Sequence, residues 1–354
     1  GGSSLSLSQQ KIAAVDLFCG VGGLTYGLAK SGITVKVGVD IDPACAYPYA
    51  ANNQAQYVDK SVTDLTSEEL NGYFGKAKYR LLAGCAPCQP FSTYSQGPRG
   101  KQDDKWRLLY EFERLIDQVR PELVTMENVP KLIGNQVFKD FVQKLRNLEY
   151  SVSYKVINCV EYGLPQTRNR LVLLASQLGD INIIKPTHTP NKYKTVADVI
   201  GNLPAIKAGE TDIKDNFHRS ATLSDLNMVR MKQSRPGGTW RDWDKHLVAD
   251  CHQKSSGRSY PSVYGRMEWD KPSPTMTTQF FGFGNGRFGH PNQDRALSLR
   301  EGAIIQSFPK KYKFVEPGQP VATKTVGRLI GNAVPVRLGE VIGRSILKHV
   351  ETVC

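Results

Sequence analysis

Cys88 stands in the run Gly84-Cys85-Ala86-Pro87-Cys88-Gln89-Pro90-Phe91-Ser92, bracketed by two prolines. Each proline fixes φ and removes a backbone donor, so the thiol rides a loop with few conformations to lose. The loop leaves the apolar run 79–83, which reads as a buried strand. A thiol held this way is a candidate nucleophile. Glu127 follows a second apolar run, 123–126, and Gln166-Thr167-Arg168-Asn169-Arg170 precedes a third, 171–175. Alone, each would be a solvated charge or a structural ion pair. Together they place a thiol, a carboxylic acid and guanidinium donors at one sheet edge, which suits nucleophilic addition with acid–base and anion-stabilising help.

Other readings of the thiols stay open at this level. Cys85 and Cys88 form Cys-x-x-Cys, the spacing of a redox pair or half a zinc site. A zinc site needs two further ligands, and Cys19, Cys45, Cys159, Cys251 and Cys354 supply no second close pair. Pro90 is awkward for the helix a redox pair would open, and a plainly buried structural cysteine is the third possibility.

A second set of residues points to a ligand. Asp16-Leu17-Phe18-Cys19-Gly20-Val21-Gly22-Gly23-Leu24 ends the first apolar run, and its glycines permit a tight turn and close approach of a ligand to backbone. The order is not Gly-x-Gly-x-x-Gly, which disfavours a dinucleotide site. Asp40 ends the second strand, where an acid accepts hydrogen bonds from ribose hydroxyls. Asp64 is placed at the end of the third, to meet an adenine amino group. These placements suggest an adenosine-containing ligand without pyrophosphate, which fits S-adenosylmethionine.

The elements that must hold these residues alternate as βαβ units do over the first 180 residues. Strands are expected over 12–18, 34–39, 57–58, 79–83, 123–126, 152–157 and 171–175, with helices over 24–30, 107–119 and 138–148. The fold class is α/β: a doubly wound, Rossmann-like sheet with a second, smaller, loop-rich domain. Residues 1–10 read as an expression remnant or flexible arm, 11–184 as the catalytic domain, 185–293 as the second domain and 294–354 as a return to the first. The 354 residues carry a net charge of +13. Residues 1–170 hold 20 Lys/Arg against 17 Asp/Glu, a net of +3, and residues 171–354 hold 26 against 16, a net of +10. A near-neutral half beside a basic half suggests a catalytic core next to a polyanion-binding surface. No apolar run approaches the roughly 20 residues of a membrane span. Seven cysteines without scaffold spacing fit a reducing compartment.

The ordered motifs resemble those of the DNA (cytosine-5) methyltransferase family, in its bacterial or phage modification-enzyme form. Residues 16–24 resemble the family's first motif and 84–92 its Pro-Cys loop. Glu127-Asn128-Val129 matches Glu-Asn-Val, and residues 166–170 match Gln-x-Arg-x-Arg. Residues 295–309 resemble the segment that organises the recognition domain, and Gly331-Asn332-Ala333-Val334-Pro335 the last motif. The likeness spans about 12–346. Asp40 stands where the family more often has Glu, Gly302 where Ala is usual, and Leu329 where Gln often precedes the last motif.

The resemblance implies methyl transfer from S-adenosylmethionine to C5 of a flipped cytosine in a specific duplex DNA sequence, leaving S-adenosylhomocysteine, with no metal. It assigns Cys88 to add at C6, Glu127 to the N3 side, and Arg170 with Arg168 to the O2 side. Phe18, Gly20, Gly22, Gly23, Leu24, Asp40, Ile41, Asp64, Leu65, Pro87, Asn332 and Val334 would bind the cofactor, and Gln89 and Ser92 the base. Region 185–293 would read DNA, with Arg235, Arg241 and Arg258 as candidate contacts. The resemblance further implies a monomer in the bacterial cytoplasm at the nucleoid, with any cognate restriction endonuclease acting separately. A tRNA cytosine-5 methyltransferase would share the fold, but its Cys-Phe-Thr signature does not occur here. A silent DNA-binding homologue would be expected to lose Cys88 or Glu127, and both are present.

Overall fold

The computed structural model describes residues 11–87, 106–238, 240–248 and 264–354. They divide into two compact units. The first comprises Gly1–Asn158, Asn169–Pro186 and Val334–Cys354, and the second Cys159–Arg168 and Thr187–Ala333.

The first unit is built on seven strands: β1 (Ile12–Leu17), β2 (Thr34–Asp40), β3 (Gln56–Asp59), β4 (Tyr79–Gly84), β5 (Leu123–Asn128), β6 (Ser151–Asn158) and β7 (Asn169–Ser176). Their order is β3-β2-β1-β4-β5-β7-β6. The strands from β3 to β5 run parallel, while β7 is antiparallel to both β5 and β6. The sheet is therefore mixed. β1 and β5 are buried along their whole length, so both open on apolar residues, and the polar groups they carry, Asp16, Thr125, Glu127 and Asn128, are buried with them. The strand order reverses between β1 and β4, and the crevice beyond the carboxyl ends there is where such sheets bind ligands.

Helices cover the sheet. α1 (Gly23–Ser31), α2 (Ala46–Asn52) and α3 (Ser67–Phe74) follow the first three strands, α4 (Arg107–Val119) precedes β5, and α5 (Gln136–Asn147) precedes β6. The helical spacing of α4 is borne out, with Leu108, Leu109, Phe112, Leu115, Ile116 and Val119 all buried. Phe112 stacks on Phe141 of α5 at 5.6 Å. The last helix of the chain packs on α1 through a seam of small residues. A Cβ on Gly27 would lie 2.3 Å from the Val336 carbonyl, and one on Gly339 3.0 Å from that of Leu24. The C-terminal segment thus braces the helix that opens at Gly23.

The second unit contains α6 (Val196–Ile200), α7 (Asp225–Gln233), α8 (Leu299–Ile305) and α9 (Thr323–Gly331), while α10 (Val336–Val353) belongs to the first. Residues 294–333 therefore lie in the second unit, where the sequence reading sets a return to the first domain at 294. The reason is a buried pair: Arg295 is fully enclosed and grips Glu301 of α8 at 2.7 Å, while its Nε donates to the Ile206 carbonyl of the same unit. Gly302 also has a packing reason, since a Cβ there would lie 2.0 Å from the buried Phe280 ring. Among the described residues no helix is long and apolar enough to cross a membrane, and no group of three His, Cys, Asp or Glu side chains could hold a metal ion.

Candidate active site

Glu127 is the penultimate residue of β5 and is 1% exposed. β7 runs antiparallel beside it, pairing Glu127 with Val172 and bringing Arg170 alongside. Arg170 Nε donates to Glu127 Oε1. Glu127 Oε2 is buried and accepts no hydrogen bond. A buried carboxylate with one oxygen clamped and the other unsatisfied is costly, on the order of 1–3 kcal/mol. It is oriented by a cation and open to one incoming donor.

The neighbouring Asn128 fixes the other arm of the site. Its Nδ2 donates to the Ala86 carbonyl at 3.0 Å, and its Oδ1 accepts from the Val129 N–H at 2.9 Å. The end of β5 is thereby tied to the segment that follows β4, up to the exposed Pro87. Cys88, Gln89 and Ser92 lie outside the described residues. Cys85, which directly follows β4, also reaches the Glu127–Arg170 pair. Its sulfur lies 3.9 Å from Arg170 Nη2 and beside the Glu127 carboxylate. Burial, reinforced by the Glu127 charge, pushes its thiol well above the ordinary range, so Cys85 stays protonated.

Arg168 and Arg170 are one residue apart across Asn169, but they belong to different units. Arg168 Nη1 donates to Gln166 Oε1 at 3.1 Å and to the Met276 carbonyl at 3.0 Å, and Nη2 to the Gly331 carbonyl at 3.3 Å. Gln166 is fully buried and donates to Gln306 Oε1 at 2.8 Å, while Gln306 donates to the Ile330 carbonyl at 2.9 Å. This network consumes the terminal donors of Arg168 and holds the turn that leads to Asn332. Gln306, between Ile305 and Ser307, was missed from sequence because a lone amide carries no periodic signal. Asn332 is exposed at the end of α9, and Val334 is half-buried where the chain re-enters the first unit.

Of the expected cofactor residues, Phe18, Gly20, Gly22, Gly23 and Leu24 follow β1, and Asp40 ends β2 with Ile41 after it. Phe18 (φ 58°), Gly20 (φ 55°) and Gly22 (φ 100°) all sit in the left-handed region, turning the chain sharply into Gly23 and Leu24 of α1. A Cβ on Gly20 would meet nothing within 4 Å, so space is open above it. Asp40 takes one backbone N–H on each oxygen, from Gly20 on Oδ2 and Asp42 on Oδ1, both at 2.9 Å. Each oxygen keeps a lone pair. Ile41 beside it is 58% exposed, an apolar face toward solvent. Tyr57 locks the turn by donating to the Asp42 carbonyl at 2.8 Å. Asp64 needs a correction of place. β3 ends at Asp59, paired with Asp40, and Asp64 closes a later 3-10 turn capped by Ser61. It is exposed, and Leu65 after it is buried. Burial raises the Asp16 carboxyl to about 7, against the Thr25 hydroxyl that donates to it at 2.7 Å. An open glycine turn, an acid with free lone pairs and an exposed apolar side chain fit a nucleoside-bearing methyl donor.

Residues 12–348 match the C-5 cytosine-specific DNA methylase profile. The chain belongs to that family. This methylase is 51% identical over 342 residues to the Type II methylase M.HgiDII of Herpetosiphon aurantiacus, covering 96% of each chain. It is 31% identical over 340 residues to the Type II methyltransferase M1.HphI of Haemophilus parahaemolyticus, covering 94% of this chain and 86% of the relative. In fold it resembles a prophage-encoded E. coli chain described as a DNA modification methyltransferase, with a TM-score of 0.71 at 22% identity, covering 96% and 99% of the two chains. The methylase is thus a DNA (cytosine-5) methyltransferase, and its family implies S-adenosylmethionine as methyl donor.

Proposed function

We propose that Cys88, Glu127 and Arg170 carry the reaction, on a cytosine flipped out of duplex DNA. Cytosine C5 is a weak nucleophile. The Cys88 thiolate adds to C6, forming an S–C6 bond and giving C5 enamine character. Glu127 meets N3 through its unused oxygen, taking up a proton as the base binds, passing it to N3 as sulfur adds and recovering it as Cys88 leaves. Arg170 keeps Glu127 oriented and stabilises negative charge developing toward O2. S-adenosylmethionine, when bound, supplies an electrophilic sulfonium methyl for C5. Water then takes the C5 proton, and the S–C6 electron pair returns to sulfur, so Cys88 departs as a thiolate and the aromatic ring is restored. Flipping costs a few kcal/mol, offset by protein contacts.

Phe18, Gly20, Gly22, Gly23, Leu24, Asp40, Ile41, Asp64, Leu65, Pro87, Asn332 and Val334 line the cofactor in this reading, with Gln89 and Ser92 at the base. Arg168 is a positioning residue that holds the 276 and 331 carbonyls. The second unit reads the DNA sequence. The chain acts as a monomer at the bacterial nucleoid, and the Type II names of two relatives support a separately acting restriction endonuclease.

The observation that carries this reading is the Glu127 carboxylate, clamped by Arg170 on one oxygen and buried but unsatisfied on the other. Bisulfite sequencing of plasmid DNA from cells expressing the chain tests it. Methylated cytosines should fall within one short consensus and vanish with Cys88→Ala. Unmethylated DNA with the wild type, or full methylation with Cys88→Ala, would overturn it.

A further inference from the structure

The arginines of the second unit separate into those already spent and one that is not. Arg266 donates to the His290, Gln293 and Met231 carbonyls and pairs with Asp294. Arg295 grips Glu301, and Arg300 grips Asp215 while lying over the Phe217 ring at 4.8 Å. Arg230 donates to the Leu247 carbonyl and Asn227 and stacks between Trp243 and Tyr264. Arg168 is bound in the glutamine network, Arg219 donates to the Asn216 carbonyl, and Arg235 pairs with Asp242. Arg241 and Arg328 have partners as well. Arg258 lies outside the described residues.

Arg287 is the exception among the described arginines of this unit. It is half-buried, no hydrogen bond or ion pair engages its guanidinium, and its Nε, like those of Arg168 and Arg266, is cut off from solvent without a hydrogen-bond partner. The loop that carries it is rigid. Gly286 (φ 153°) adopts a conformation other residues avoid, and a Cβ there would lie 2.7 Å from the Phe288 ring. Phe283 and Phe288 are both buried, 2% exposed, on either side. Immediately after Arg287 the chain is pinned: the Phe288 carbonyl accepts from Leu297, the Gly289 carbonyl accepts from Met267, and the Gly289 N–H donates to the Gly265 carbonyl, each at 2.9 Å.

An unpaired guanidinium with a buried donor is an expense unless something arrives to use it. The arriving group must be an acceptor, and the substrate of this family is DNA. Phosphates need only charge, which flexible exposed lysines supply. A planar fork fixed on a rigid loop suits the two acceptors that guanine presents in the major groove, O6 and N7. We infer that Arg287 is a specificity-determining residue that reads a guanine of the recognition sequence. The inference rests on the second unit being the part that reads DNA.

The test is methylation of a duplex library randomised around the wild-type consensus, read by bisulfite sequencing, together with binding measured across salt concentration. Arg287→Ala should lose on the order of 10- to 100-fold in methylation of the consensus site. Its site preference should relax at one guanine-containing pair, with the salt dependence of binding unchanged. Arg287→Lys, which keeps the charge without the fork, should relax the same pair. Uniform weakening at all sites with a salt slope reduced by about one would make Arg287 a phosphate contact and overturn the inference. An unchanged consensus in both variants would also overturn it. A wild type that methylates no DNA would instead sink the assigned function, so the two failures are distinct.

Discussion

Two buried carboxylate–guanidinium pairs, one in each unit, use the same residue types to opposite ends. In the second unit Glu301 is saturated. Arg295 donates to both of its oxygens at 2.7 and 3.0 Å, the Ser298 N–H adds a third bond at 2.8 Å, and His290 Nε2 stands 3.6 Å away. Burial raises the Glu301 carboxyl, but the Arg295 hydrogen bonds outweigh it and hold the group below the usual carboxylate range. In the first unit Glu127 is equally buried, yet only Oε1 is engaged and Oε2 is bare. A saturated pair fixes a fold, whereas a half-saturated one is kept for a partner that comes and goes.

The sharpest break of this comparison is a matched pair of substitutions. Glu127→Gln should lower methylation about 10²- to 10⁴-fold, the scale of acid–base assistance, with little change in thermal stability. Glu301→Gln should do the reverse, costing about 3–5 kcal/mol in denaturant unfolding because it breaks a satisfied buried pair. Equal stability losses from both would remove the distinction. A smaller effect follows from His290, whose Nδ1 accepts the Asn292 and Gln293 N–H groups. Burial, against the pull of Glu301, lowers it from 6.5 to about 4. Its unfolded form binds a proton that the folded form refuses, so this contribution is present above pH 6.5 and lost as pH falls toward 4, up to about 3 kcal/mol. Unfolding followed across that window should show the loss, and His290→Gln should flatten it.

The smallest effect concerns Cys85, a positioning residue beside Glu127 and Arg170. Cys85→Ala should lower kcat several-fold, because Arg170 Nη2 loses the sulfur acceptor 3.9 Å away that helps hold it beside Glu127. Cys85→Ser should restore it. A loss confined to thermal stability would make Cys85 packing alone.

The central strands were legible because mainly apolar runs ending in Gly, Asp or Glu-Asn mark buried parallel strands and the loops beyond them. Asp64 was misplaced because residues 59–63, polar but for Val62, carry no periodicity, and only the β2–β3 register ends the strand at Asp59. Arg168 and Arg170 look equivalent in sequence. They diverge because one starts from a network of carbonyls and the other is delivered to Glu127 by antiparallel pairing. The partner of Cys85 was invisible for the same reason, since Arg170 is 85 residues away in sequence. The contact division differs from the boundary expected at 294 because Arg295, a charged residue that sequence reading leaves at the surface, is fully buried within the second unit.

The central claim is that a thiol on the Pro87-Cys88 loop adds to a base oriented by Glu127 and Arg170. Duplex DNA carrying 5-fluorocytosine at the target position, incubated with S-adenosylmethionine, tests it most directly, because fluorine at C5 cannot leave as a proton does. The wild type should form a covalent complex that survives denaturing electrophoresis, Glu127→Gln should form it far more slowly, and Cys88→Ala should form none. Trapping by Cys88→Ala at the wild-type rate would contradict the account.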